Sequence, residues 1–188
     1  MKKGVLIILS GPSGVGKGTV REELFKDESL NLAYSISMTT RKPRPAEKEG
    51  VDYFFVDQDQ FEEKIDGGEL LEYAKFVGNY YGTPEANIEA LLNEGKNVVL
   101  EIEVQGALQV MKKRPDALTI FIVPPSMEEL ERRIRGRRTE QEEIVQQRLA
   151  KARGEIDTKD QYKYVVENND ILKAKEQIAQ IIKAVHGA

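Results

Sequence analysis

Gly11-Pro12-Ser13-Gly14-Val15-Gly16-Lys17-Gly18-Thr19 follows directly on the apolar run Val5-Leu6-Ile7-Ile8-Leu9. The run has the length of one strand and no polar alternation, which is the pattern of a strand buried on both faces. Glycines at 11, 14 and 16 let the chain turn tightly and aim successive backbone N–H groups at one point. A helical pattern from Thr19 to Lys26 then brings the positive end of a helix dipole to the same place. Lys17 would add a point charge for the β- and γ-phosphates of a nucleoside triphosphate. The loop departs from the usual pattern at Gly18, where Ser or Thr ordinarily meets magnesium; Thr19, the nearest hydroxyl, comes one residue late. Magnesium would then depend on nucleotide oxygens, water and acidic residues elsewhere.

Working outward, 188 residues fit one domain, or one with insertions, and 40% hydrophobic content suffices for a core. The absence of cysteine excludes a disulfide scaffold and thiolate chemistry, and the lone histidine, His186, argues against a histidine-based triad. A net charge of −4 argues against broad attraction to nucleic acid or membranes. Anionic ligands must therefore be captured by local arginine clusters: Arg41 with Arg44, and Arg132, Arg133, Arg135, Arg137 and Arg138. Met1-Lys2-Lys3-Gly4 looks like the start of a signal peptide, but Val5 to Leu9 is too short for its apolar segment, and no run reaches transmembrane length. A cytoplasmic protein is expected.

Val98 to Val104 and Leu118 to Val123 read as further buried strands with helical patterns between and after them, so the expected class is α/β with a parallel sheet flanked by helices. Thr83-Pro84-Glu85 reads as an N-cap followed by proline at the first helical position, with Gly95 ending that helix. Ser126 to Glu129 and Thr139 to Glu142 read as capping boxes, and Ile171 to Val185 as an amphipathic closing helix. The stretch 35–82 differs: it is rich in tyrosine, with short segments such as Tyr53 to Val56 and Leu71 to Phe76, and reads as a mostly β insertion. The charged helical stretch 126–157 has few large apolar residues and suits a mobile lid.

The phosphate loop, an insertion with two arginines and an arginine-rich lid together suggest phosphoryl transfer between nucleotides. Over essentially its whole length the chain resembles the guanylate kinases. The match lies in Ser10 to Lys17, Ser35-Ile36-Ser37-Met38-Thr39-Thr40-Arg41-Lys42-Pro43-Arg44-Pro45, Gly50 to Phe55, Leu71-Glu72, Gly78 to Thr83 and Arg137-Arg138-Thr139-Glu140. The resemblance implies a P-loop core (1–34, 83–125 and 158–188), a GMP-binding insertion (35–82) and a lid (126–157). It also implies transfer of the γ-phosphoryl group of ATP to GMP, with dGMP as a second acceptor, Mg²⁺ accompanying ATP, and no nucleic-acid or membrane partner. Monomer and homo-oligomer both remain open.

By the same resemblance, Gly11, Pro12, Ser13, Gly14, Val15, Gly16, Lys17, Gly18 and Thr19 would hold ATP, with Arg135 a further contact and Asn168 (beside Asn169) near adenine. Ser37, Arg41, Arg44, Tyr53 and Tyr81 would surround the GMP phosphate, a dianion suited to guanidinium forks and phenolic donors. Glu72 and Thr83 would read the base, since an ionised carboxylate accepts both N1–H and N2–H of guanine. Lys17, Arg44, Arg137 and Arg148 would act on the transferring group, whose charge spreads over equatorial oxygens. Arg132, Arg133 and Arg138 read as solvated helix face.

Glu101 and Glu103, two apart on the strand Val98 to Val104, are expected on one face at its carboxyl end. Glu101 is placed at magnesium through water and Glu103 at GMP, with the division between them open because the family commonly carries Asp at both. The competing reading is a guanylate-kinase-like protein-binding module without catalysis, although such modules usually have a degraded loop. A switch-type GTPase is disfavoured because no Asn-Lys-x-Asp motif occurs.

Overall fold

In the computed structural model, residues 2–136 and 141–187 are described. Among them, two sheets organise the chain. The larger is built from Leu6–Ser10 (β1), Leu32–Tyr34 (β2), Asn97–Glu101 (β7), Leu118–Val123 (β8) and Tyr164–Glu167 (β9), in the order β2-β7-β1-β8-β9. Every pairing is parallel. The continuous apolar reading of β1 is explained by this central place: all five of its residues are buried.

Alternation along the strands divides the core into two layers. Ile7 and Leu9 of β1, with Ile120 and Ile122 of β8, pack under Lys17–Phe25 (α1) and Ile171–Gly187 (α7) through Val20, Leu24, Ile178 and Ile182. Leu6 and Ile8, with Leu100 and Phe121, meet Glu85–Asn93 (α3) and Val104–Lys113 (α4) through Ile88, Leu92, Ala107 and Val110. Each fully buried Val, Leu, Ile or Phe among them contributes about 1.5–3 kcal/mol of transfer free energy.

The smaller sheet is mixed. Met38–Thr39 (β3), Phe54–Phe55 (β4), Leu70–Phe76 (β5) and Asn79–Pro84 (β6) lie in the order β4-β3-β6-β5, with Gln58–Asp66 (α2) packed on it through Phe61 against Met38 and Leu70. Met127–Gly136 (α5) and Glu142–Ile156 (α6) bury a separate cluster of Leu130, Ile134, Val145, Leu149 and Ala152. The stretch read as short of apolar residues therefore has a small core of its own.

Three local expectations are corrected. Thr83 does not cap α3: the N-cap is Pro84, and Thr83 is the last residue but one of β6, its hydroxyl bonded across the sheet. The strand read as far as Val104 ends at Glu101, and Glu103 is the N-cap residue of α4 in extended conformation, so the two carboxylates do not share a strand face. α6 is capped at Gln141, not at Thr139, which lies outside the described residues. At the other expected box, Ser126 Oγ accepts the Glu129 N–H at 3.1 Å. Gly95 follows the end of α3 with φ +82°, as a helix-terminating glycine should.

Candidate active site

The glycine-rich loop joins β1 to α1 at the carboxyl edge of the parallel sheet, where open α/β sheets bind ligands. Two glycines there are obligatory on geometry. A Cβ on Gly11 would lie 2.4 Å from the Ile122 carbonyl oxygen, and Gly16, the N-cap of α1, has φ +95° with Asn168 Nδ2 2.7 Å from its Cβ position. α1 begins at Lys17, two residues earlier than its periodicity suggested, so Gly18 and Thr19 belong to its first turn, where backbone N–H groups have no helical partner. Lys17 Nζ folds back onto the carbonyls of Gly11, at 2.7 Å, and Pro12, at 3.3 Å. Burial holds its pKa below the usual lysine range, against the raising influence of Glu101, Glu155 and Glu103.

Register places Glu101. Leu9 pairs with Glu101 across β1 and β7, so its carboxylate emerges beside the start of the loop. Arg21 of α1 forms an ion pair with it, a partner the sequence reading did not single out. A Cβ on Gly18 would lie 3.9 Å from Glu101 Oε1, so the missing side chain at 18 leaves that carboxylate facing the helix start. Among the described residues no three His, Asp or Glu side chains cluster to hold a metal. This donor set suits Mg²⁺ that keeps its waters and nucleotide oxygens, with one carboxylate nearby.

In the second sheet the register between β5 and β6 shifts between Leu70 and Tyr73, and the irregularity breaks alternation so that Leu70, Leu71 and Glu72 are all buried. Glu72, 9% exposed, receives the Thr83 hydroxyl on Oε1 at 2.6 Å. Its other oxygen faces α4, where a Cβ on Gly106 would come within 3.0 Å of Oε2. Burial raises the Glu72 pKa, and the Thr83 hydrogen bond opposes the rise. Ser37, Tyr53, Glu72 and Tyr81 line one depression of about 590 Å³ together with Glu101, Glu103 and Lys151.

Arg41 lies next to this depression, its guanidinium carbon 5.5 Å from the Tyr53 ring centroid and its Nη2 donating to Glu47 Oε1 at 2.8 Å. Glu47 also accepts the Arg44 backbone N–H at 2.8 Å, so it ties together the turn carrying both arginines. In the sequence Glu47 is marked only as an acidic residue inside a basic turn. Glu103, 74% exposed, pairs with Lys151 of α6 at 3.0 Å.

α5 and α6 touch the loop. Arg148 donates to Ser13 Oγ at 3.0 Å, whereas Arg135 is engaged by Glu131 and Glu142. Arg137, like Arg138, lies outside the described residues. Arg132 remains largely exposed, but the reading of Arg133 as solvated is overturned: only 23% exposed, it donates to the Val15 carbonyl at 3.3 Å and to the Asn168 carbonyl at 3.0 Å. Asn168, just beyond β9 and buried, donates from Nδ2 to the Val15 carbonyl at 2.8 Å. It therefore braces the loop as well as lining, with Asn169 and Arg132, a third depression of about 650 Å³. No sequence signal announces these roles, because the partners are far apart in the chain.

The three depressions adjoin. The one around the loop, about 460 Å³, shares Gly14, Gly16 and Thr19 with the Asn168 side and Glu101, Ile102 and Glu103 with the Glu72 side. One trough thus runs from Asn168 across the phosphate loop to Glu72.

Comparison with known proteins agrees with this architecture. The family model described as guanylate kinase matches residues 3–185. A guanylate kinase of Bacillus cereus is 56% identical over 98% of this chain and 90% of its own length, and one of Streptococcus thermophilus is 52% identical over 98% and 88%. The crystal structure of guanylate kinase from Anaplasma phagocytophilum superposes with a TM-score of 0.74 at 37% identity, covering 100% of this chain and 89% of that one. The helix-flanked parallel sheet, the phosphate loop at its edge and the second sheet facing it are accounted for together, and the chain belongs to the guanylate kinase family.

Proposed function

We infer that the chain transfers the γ-phosphoryl group of ATP to GMP, giving ADP and GDP, with ATP lying along the loop and GMP in the depression that holds Glu72. The observation carrying this division is the continuity of the trough: the phosphate loop and the Glu72 pocket share the wall Glu101-Ile102-Glu103. Two ligands entering from opposite ends would meet there phosphate to phosphate, which an in-line displacement requires.

In this reading Glu72 accepts the guanine N1–H and N2–H, with Thr83 orienting the carboxylate. Adenine would set its N1 lone pair against a desolvated carboxylate, an arrangement that can reject an analogue by about 10⁴–10⁵. Arg41, Arg44, Tyr53, Tyr81 and Ser37 take the GMP phosphate, and Arg41 exchanges Glu47 for it. Gly11 to Thr19 receive the ATP phosphates through backbone N–H groups. Lys17 leaves the Gly11 and Pro12 carbonyls to neutralise developing charge, and Arg148 and Arg137 complete that neutralisation as the lid helices close. A GMP phosphate oxygen attacks the γ-phosphorus in line, with no covalent intermediate on the protein. Mg²⁺ brought by ATP would neutralise phosphate charge, with Glu101 the residue to hold it through water.

Residues 35–82 serve as the GMP-binding unit, 126–157 as the lid, and the remainder as the core. Among the described residues no helix is long and apolar enough to cross a membrane.

Coupled ADP release measured with ATP, Mg²⁺ and GMP tests the assignment, with AMP, UMP and CMP as competing acceptors. Turnover confined to GMP and dGMP is expected, and no turnover at saturating Mg²⁺ would return the chain to the binding-module reading. Lys17→Ala should abolish measurable transfer while GMP affinity, by calorimetry, stays within about twofold, because uncharged loop and guanine pocket are separate sites. Equal loss of both would contradict the division of the trough.

A further inference from the structure

Glu72 sits on a piece of strand that its own sheet holds poorly. Among the described residues β5 pairs only with β6, so its other edge offers backbone groups without a strand partner. On the paired side Leu70 faces Pro84 and Tyr73 faces Gly82, and the register shifts between them, so Leu71 and Glu72 fall outside the regular ladder. Pro84, opposite Leu70, has no N–H to give.

α4 supplies what the sheet lacks. Gln109 accepts the Tyr73 N–H on Oε1 at 3.2 Å and donates from Nε2 to the Tyr73 carbonyl at 3.3 Å, the pair of bonds that a neighbouring strand would exchange with that residue. Lys113 Nζ donates to the Leu70 carbonyl. Gly106, about one turn before Gln109, passes against the Glu72 side chain itself, a Cβ there standing 3.0 Å from Oε2 and 3.3 Å from Cδ. Positions 106, 109 and 113 share one stripe of the helix. From the opposite side the Thr83 hydroxyl fixes Oε1. The irregular segment is thus anchored at Leu70 and at Tyr73, on either side of the carboxylate. Neither Gln109 nor Lys113 lines the trough, so each can reach a ligand only through Glu72.

We propose that Gln109 and Lys113 are positioning residues for base recognition: they clamp β5 on both sides of Glu72 and so hold its carboxylate where it accepts two hydrogen bonds from one base edge. The proposal rests on the assignment of Glu72 to guanine. Two bonds to a planar edge require placement within about 0.5 Å, which a side chain on an irregular strand reaches only when its backbone is fixed beforehand. Order present before binding is not lost at binding, so the clamp contributes to affinity. A carboxylate that shifts along β5 keeps one of the two bonds more readily than both. The advantage of GMP over IMP, which lacks the N2 amine, therefore falls when the clamp is removed.

The test uses the full chain as wild type, Gln109→Met, Lys113→Met, Lys113→Arg, Glu72→Gln and the double variant Glu72→Gln/Gln109→Met. It measures kcat, KM for ATP, GMP and IMP, and the unfolding temperature. Gln109→Met, close in size but without the amide, should raise KM for GMP by about three- to tenfold and reduce the preference for GMP over IMP, with kcat and KM for ATP within twofold. Lys113→Met should act in the same direction, and Lys113→Arg, which keeps a donor, should stay near wild type. Added to Glu72→Gln, Gln109→Met should change KM for GMP by less than twofold, because the group it positions is already altered. An unchanged KM for GMP in Gln109→Met overturns the proposal, as do equal losses for both substrates, an unchanged preference over IMP, or full additivity in the double variant. Should Gln109→Met not fold, Gln109→Asn, one methylene short of Tyr73, decides by the same criteria. A wild-type KM for GMP in Glu72→Gln overturns the guanine assignment together with the proposal, whereas a raised value there beside a silent Gln109→Met overturns the clamp alone.

Discussion

At the scale of single residues, the most consequential position is Glu72, whose carboxylate is buried beside an uncharged hydroxyl and lacks a cationic partner at hydrogen-bonding distance among the described residues. Burial disfavours the ionised form of such a group and so raises its pKa in the empty fold. The folded chain therefore retains a proton that the unfolded chain releases above its usual value of 4.5. Stability contributed by this group is present below that pH and declines as pH rises through the raised folded value. Glu72→Gln should remove the decline, so the ligand-free variant should match or exceed the wild-type unfolding temperature at pH 7. The same change should raise KM for GMP by about ten- to a hundredfold, since a charge-assisted pair of hydrogen bonds is lost, with KM for ATP nearly unchanged. Thermal scans across pH, paired with kinetics, check both; an unchanged KM for GMP would remove Glu72 from base recognition.

At the scale of elements, function depends on how neighbours approach. α4 comes close to β5 because Gly106 has no side chain: a Cβ there would stand 3.0 Å from Glu72 Oε2. Gly106→Ala should leave the helix intact, alanine being the better helix former, yet crowd Glu72 Oε2 and, with Glu72 in the proposed role at guanine, raise KM for GMP several-fold. Equal KM values in variant and wild type would show that the carboxylate has room to move. The β5–β6 hairpin shows a local conflict. Phe76 pairs with Asn79 around Val77 and Gly78, which have φ +46° and +77°, the signs of a type I′ turn. A β-branched residue is unfavourable there, and Val77 is 79% exposed, so no packing offsets the strain. Val77→Asn should stabilise by about 0.5–1 kcal/mol, read as a rise of about 1–4 °C in unfolding temperature.

The same scale shows what could be read in advance. β8 matched its expected bounds because a central parallel strand declares itself by an unbroken apolar run. The apolar pattern starting at Val98 runs past the end of its strand at Glu101 because Ile102 and Val104 are apolar for other reasons: both pack with the cluster beneath α3 and α4. Thr83 carried an N-cap pattern, yet its hydroxyl bonds Glu72, because the sheet offered it a buried carboxylate partner.

For the whole molecule, apolar clusters set the units of stability. The two faces of the parallel sheet and the smaller sheet have their own buried clusters, and α5 with α6 encloses one of five residues. A helix pair with so small a core should open at lower free energy than the sheet. Leu149→Ala should remove about 2–5 kcal/mol of local packing. Hydrogen exchange should then accelerate in α5 and α6 while the amides of β1 and β8 keep their protection, and transfer should slow through kcat. Loss of protection throughout would mean that the helix pair and the sheet form one cooperative unit.

The chain's sequence by itself determined the α/β class, the phosphate loop and the family, because these rest on contiguous patterns: an apolar run, glycines at set intervals, motifs in order. Tertiary structure alone decided that Arg133 braces the loop, that Glu47 holds Arg41 and that Arg21 faces Glu101. Periodicity reports which face of an element is buried, not which distant group it meets. Partners separated by 153 residues, as Asn168 and Val15 are, become neighbours only through the crossing of strands in the parallel sheet.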